Sequence, residues 1–116
     1  MKMNTKQYIY RAFVIDVHDG DTCTVDIDLG FGIWMRNQKL RFYGINAPEL
    51  TGEQKQSGLK SRDYVSSLIL NKEVLIETQK DKSEKYGRWL ATIWIDGTNL
   101  NKKLVEEGFA REYLVK

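Results

Sequence analysis

The chain is poor in the residues that staple small proteins or carry thiol and imidazole chemistry. Its 116 residues include one cysteine, one proline and one histidine. A lone Cys23 excludes an internal disulfide. Its alternation with Val25, Ile27 and Leu29 assigns it to one buried strand face, with Thr24, Asp26 and Asp28 on the other. Without clusters of Cys or His a zinc site has no ligand set, and His18 alone removes most imidazole-based acid–base schemes. No apolar run approaches the ~20 residues of a membrane-spanning helix. The opening Met1-Lys2-Met3-Asn4-Thr5-Lys6-Gln7 is polar, with no apolar segment behind it, unlike a signal peptide. The expectation is a cytoplasmic protein with no membrane partner, or a secreted one if a leader has been removed. The formal net charge of +2 does not by itself dictate a nucleic-acid partner, and it favours one only where positive charge is concentrated locally.

What is present is an ordinary globular composition: 41% hydrophobic, 29% charged and 11% aromatic. The length suits a single domain over residues 1–116, expected as a monomer, burying roughly two-thirds of its unfolded surface. Five strand runs are legible: residues 8–17, 22–29, 35–45, 74–78 and 89–95. Gly30-Phe31-Gly32 breaks the second run, and Pro48 ends the third in a loop. Residues 53–70 read as a helix with Ser61, Tyr64, Val65, Leu68 and Ile69 on one face; Gly58 weakens its first turns. Residues 80–88 read as a charged loop. Asp96-Gly97 is a turn pair, Asn99 a cap for a second helix over residues 100–107, and Gly108 its stop. The order β-β-β-α-β-β-α is that of an OB-fold, an α+β, mainly β architecture. It predicts a five-stranded barrel with a helix between strands 3 and 4 and a short C-terminal helix.

Three runs carry chemistry. Asp19-Gly20-Asp21-Thr22 would serve as a polar hairpin turn, but two carboxylates flanking a glycine can also approach one hard cation, which takes oxygen ligands and retains waters. Arg41-Phe42-Tyr43-Gly44-Ile45-Asn46-Ala47-Pro48-Glu49 joins a strand-end arginine to a loop carboxylate through a proline-fixed turn. A guanidinium binds two phosphate oxygens at once, and a carboxylate within reach of a water can take its proton. Lys85-Tyr86-Gly87-Arg88 follows Lys80 and Lys82. A solvated basic loop has this composition, and so does a surface that offers positive charge to phosphate and an aromatic face to a sugar or base. Asp81 and Glu84 temper its net charge.

The order and spacing of these runs resemble the staphylococcal nuclease family, small calcium-dependent nucleases built on an OB-type barrel, from about Ala12 to Arg111. The resemblance implies that Asp21 ligates calcium and Asp19 supports its water shell. Ala47 would offer only its backbone carbonyl. Arg41 and Arg88 would hold the phosphate and Glu49 would act on the attacking water. Lys85 and Tyr86 would contact a terminal phosphate, with Lys82 as a further substrate contact. Asn46 departs from the family pattern, which has Asp as the second carboxylate on calcium. Asn keeps the oxygen and loses the charge, so weaker calcium binding is expected. The implied activity is metal-assisted hydrolysis of phosphodiesters in DNA, RNA or both. The alternative is a weak or inactive nuclease-like module that binds nucleic acid or protein without cutting.

Overall fold

A computed structural model describes residues 8–83 and 87–113, the side chains of residues 80–83 excepted. Alternating apolar and polar residues build its first hairpin. Strands β1 (Ile9–Asp19) and β2 (Thr22–Gly30) pair antiparallel, with Ala12 opposite Ile27 and Val14 opposite Val25. These four and Cys23 are buried, as period-two alternation requires when one face meets a core. Strand β3 (Ile33–Phe42) continues the meander and adds Leu40 and Phe42, both fully buried. A two-residue strand β4 (Ile45–Asn46) and a 3-10 turn (Gly52–Gln54) lead into helix α1 (Lys55–Ile69), whose Ser61, Val65 and Ile69 are buried.

Strand β5 (Glu73–Ser83) returns to pair with β1. Strand β6 (Trp89–Ile95) pairs antiparallel with β5 and parallel with β3, Leu40 beside Trp89 and Phe42 beside Ala91. That parallel contact closes the ring β1-β2-β3-β6-β5, a five-stranded barrel of the OB type with α1 following its third strand. The Asp96-Gly97 turn and strand β7 (Thr98–Asn99) lead into helix α2 (Leu100–Glu106), where the Asn99 side chain accepts the Lys102 N–H at 3.1 Å. So short a helix is marginal alone; the fully buried Leu100 and Leu104 stabilise it by about 1.5–3 kcal/mol each. Strand β8 (Arg111–Glu112) pairs antiparallel with β4. No helix among the described residues is long and apolar enough to cross a membrane.

Several boundaries differ from the sequence reading. Leu29, expected on the buried face, is exposed. Strand β6 reaches only Leu40, Arg41 and Phe42 of β3, so the far end of the β2–β3 hairpin projects beyond the barrel. Phe31 at its tip is fully exposed at φ +57°. Thr24, expected on the outer face, is buried, and its hydroxyl lies 3.0 Å from His18 Nε2. The third strand ends at Phe42 rather than residue 45. The Phe42 and Tyr43 N–H groups bond to the Asp21 and Ala91 carbonyls, and the chain then turns at Tyr43-Gly44 into β4. Residues 80–83, expected in a loop, belong to β5, because Ser83 still pairs with Trp89 after a register shift. Pairing with a neighbour, rather than charge content, sets that strand's length.

Candidate active site

The end of the barrel where β1 turns into β2 meets the end of β3. There the backbone comes close enough that side-chain size is decisive. A Cβ on Gly20 would stand 2.8 Å from the Cβ atoms of both Ala47 and Ser61. Glycine therefore lets the Asp19–Thr22 turn nest against β4's exit and against α1. Ser61, at the same junction, donates its hydroxyl to the Phe109 carbonyl at 2.6 Å, tying α1 to the segment that leads into β8.

Asp21 lies at the centre and is buried. One carboxylate oxygen accepts the Ala47 N–H at 2.7 Å, and the other accepts the Thr22 hydroxyl at 3.0 Å. The Asp21 N–H in turn donates to Asp19 Oδ1 at 3.0 Å. Burial, then the adjacent Asp19 carboxyl, push the Asp21 carboxyl up to about 6, while the Ala47 N–H and Arg41 pull the other way. Arg41 is nearly as buried. Its Nη1 donates to the carbonyls of Ile45 (2.8 Å) and Phe42 (3.1 Å) and lies 3.4 Å from Asp21 Oδ2. Its Nη2 donates to Asn46 Oδ1 at 3.2 Å. One guanidinium thus joins the strand end to β4 and stands beside both Asp21 and Asn46. Its Nε edge has no partner among the described residues.

Glu49 sits on the loop after Pro48, with an exposed side chain. The loop is held by its backbone: the Glu49 N–H donates to Gln54 Oε1 at 2.9 Å. Gly58, which weakens a helix by propensity, is required here. A Cβ on it would fall 2.2 Å from the Glu49 carbonyl oxygen. Arg88 immediately precedes β6, and the register of Leu40 with Trp89 and Arg41 with Leu90 sets its backbone just before the strand that neighbours Arg41; its side chain is half-buried. The structure thus gathers Asp19, Asp21, Arg41, Asn46 and Ala47 and keeps Glu49 on the adjoining loop. Lys85 and Tyr86, and the side chain of Lys82, lie outside the described residues.

The donor chemistry suits a hard cation: two carboxylates, an amide oxygen and a backbone carbonyl, with no nitrogen or sulfur ligand. Among the described residues no three His, Cys, Asp or Glu side chains converge. An ion held here would therefore draw on the Asn46 amide, the Ala47 carbonyl and water beside Asp21. The residues that the sequence reading missed are mostly structural. Gly20 reads as an ordinary turn glycine and Gly58 as a weak helix position; the signal available was a glycine inside an otherwise sound helix. Arg111, across the β4–β8 ladder from Asn46, has no sequence motif.

Similarity to known proteins covers most of the chain. The family profile described as "Staphylococcal nuclease homologue" matches residues 39–116. The thermonuclease of Staphylococcus hyicus is 33% identical over 111 residues, covering 93% of this chain and 61% of that protein. The thermonuclease of Staphylococcus intermedius is 30% identical over 98 residues, covering 82% and 55%. Endonuclease YhcR of Bacillus subtilis is 26% identical over 116 residues, covering 91% of this chain and 9% of that protein. The chain spans about three-fifths of the length of the Staphylococcus hyicus relative.

Proposed function

The chain belongs to the staphylococcal nuclease family, and from that premise we propose that it is a calcium-dependent nuclease cutting phosphodiesters in DNA, RNA or both. The observation that carries this reading is the junction of Asp21, Arg41 and Asn46, held together by hydrogen bonds at the foot of the loop that bears Glu49. Such a built arrangement of buried charge is costly unless each group is paired, and the Arg41 Nε–H, without a partner among the described residues, leaves the guanidinium a donor for a phosphate oxygen.

In this reading Glu49 takes the proton of a water as its oxygen attacks phosphorus. The P–O5′ bond breaks, the departing O5′ takes a proton from solvent to become the 5′-hydroxyl, and a 3′-phosphate end remains, as the family resemblance implies. Arg41 and Arg88 hold the non-bridging oxygens as negative charge builds on them. Preorganised stabilisation of this kind usually lowers the barrier of such reactions more than any other single effect. Asp21, Asn46 and the Ala47 carbonyl would hold a calcium ion, with Asp19 beside its water shell; when bound it supplies electrophilic activation and positioning. Lys82, Lys85 and Tyr86 bind the substrate strand without sequence preference.

One observation favours the non-cutting alternative. Arg41 already places a positive charge beside both Asp21 and Asn46, and Asn46 adds no negative charge to offset it, so a divalent cation meets more repulsion here than beside two carboxylates. Incubation with labelled single-stranded DNA and RNA, in calcium and in chelator, decides between the two. Cutting in calcium that stops in chelator supports the nuclease. Binding without cutting at any calcium concentration supports the alternative.

A further inference from the structure

Beside Glu49 lies a cleft of about 450 Å³, whose walls are Asn46, Pro48 and Glu49 on one side and Phe109, Ala110 and Arg111 on the other. That volume is within the range of small-ligand sites. The two walls are fixed to each other. Asn46 pairs with Arg111 and Ile45 with Glu112 across the β4–β8 ladder, and the Tyr113 N–H donates to the Gly44 carbonyl at 2.8 Å. Residues directly opposite in an antiparallel pair project to the same side with Cβ atoms about 5 Å apart. Arg111 therefore leaves its strand on the same face as Asn46, which Arg41 engages. The Phe109 ring is stacked on Tyr64 with centroids 4.2 Å apart, which holds it beside the cleft.

Arg111 differs from the other arginines of the barrel. Arg11 is paired with Glu73, Arg36 with Asp26, and Arg41 with Asp21. Arg111 is exposed and makes no ion pair or side-chain hydrogen bond among the described residues. A guanidinium on a cleft wall, opposite the loop of the proposed general base and without a protein anion, is set to receive an anion from outside. The apolar surface beside it suits a sugar or base. We infer that Arg111 binds a backbone phosphate flanking the one that is cut, and that the cleft holds the intervening nucleotide. This rests on the nuclease reading for the identity of the cut phosphate.

The test compares wild type, Arg111→Ala and Arg111→Lys with two probes. One is a fluorescent single-stranded DNA octamer, followed by anisotropy in chelator over a series of salt concentrations and by cleavage in calcium. The other is bis(p-nitrophenyl) phosphate, which has a single phosphate and nothing to reach Arg111. The expected result for Arg111→Ala is about tenfold weaker octamer binding and a salt slope lower by about 0.7. Its KM for the octamer rises, while turnover of the small ester is unchanged. Arg111→Lys recovers the salt slope but not the full affinity, because charge returns and the fork does not. Octamer affinity and salt slope equal to wild type in Arg111→Ala overturn the inference, as do equal losses on both probes. Arg111-dependent binding without any cutting by wild type would overturn the nuclease reading and leave the phosphate contact standing. Cutting by wild type with Arg111-independent binding would do the reverse.

Discussion

Arg41 and Arg111 are both neighbours of Asn46 and live in opposite environments. The Arg41 side chain is 13% exposed, spends its hydrogens on two backbone carbonyls and Asn46, and lies beside Asp21. Arg111 is exposed and uncommitted among the described residues. The same contrast separates Asp21, buried with both oxygens accepting, from Glu49, whose backbone is anchored while its carboxylate faces solvent. The candidate site therefore has a buried floor that holds its shape and an exposed rim. Substitutions in the floor should cost stability and activity together; those on the rim should cost function alone.

The largest effect should come from the floor. Arg41→Ala leaves Asp21 buried without its cation and strips donors from the Ile45 and Phe42 carbonyls, so a loss of about 3–5 kcal/mol is expected. Chemical denaturation measures it. A variant that loses nuclease activity at wild-type stability would break the floor–rim distinction at its clearest point. Gly58→Ala is next. Its Cβ must push the Glu49 carbonyl away, at a cost of about 1–3 kcal/mol, although Ala is the better helix former. A rise in melting temperature would mean that the helix and the Glu49 loop are not in close contact.

Asn46→Asp sharpens the comparison from the metal side. The new carboxylate would face Arg41 and stand near Asp21, so calcium should raise the melting temperature of the variant more than that of wild type. Equal calcium responses would remove Asn46 from the ion's surroundings. The floor also predicts a pH dependence of stability. In metal-free protein the Asp21 carboxyl titrates at about 6, against 3.8 for the unperturbed group. Between those values the native state holds a proton that the unfolded chain has lost, so stability should fall as pH rises through the window. Asp21→Asn, which cannot titrate, should flatten that fall. An unchanged slope would assign the pH dependence to other groups.

The barrel was legible in the sequence because its signals are local. The alternation of Val25 with Ile27, the Asp96-Gly97 turn and the Asn99 cap each act within a few residues, and the structure places them accordingly. The two-residue strands β4 and β8 were not legible, since they exist only through each other, and the length of β5 depends on Trp89 across the sheet. In the candidate site, Asp21, Arg41 and Asn46 lie in runs that the sequence singles out, and the fold brings them together. The requirement for glycine at positions 20 and 58 arises from contacts with Ala47, Ser61 and Glu49, which are distant enough in the chain to leave no local pattern. Arg111 faces Asn46 across 65 residues of sequence, so only the folded ladder brings it to the cleft.

In the proposed mechanism Glu49 does chemistry at the rim of a site whose shape it does not maintain. Single-turnover cleavage of labelled single-stranded DNA by Glu49→Gln, at saturating protein and calcium, tests it most directly when read beside the melting temperature. The expected result is a cleavage rate lower by about 10²–10⁴, with stability within about 0.5 kcal/mol of wild type. A variant that cuts at the wild-type rate would contradict the account, and so would one whose slower cutting is matched by a loss of fold.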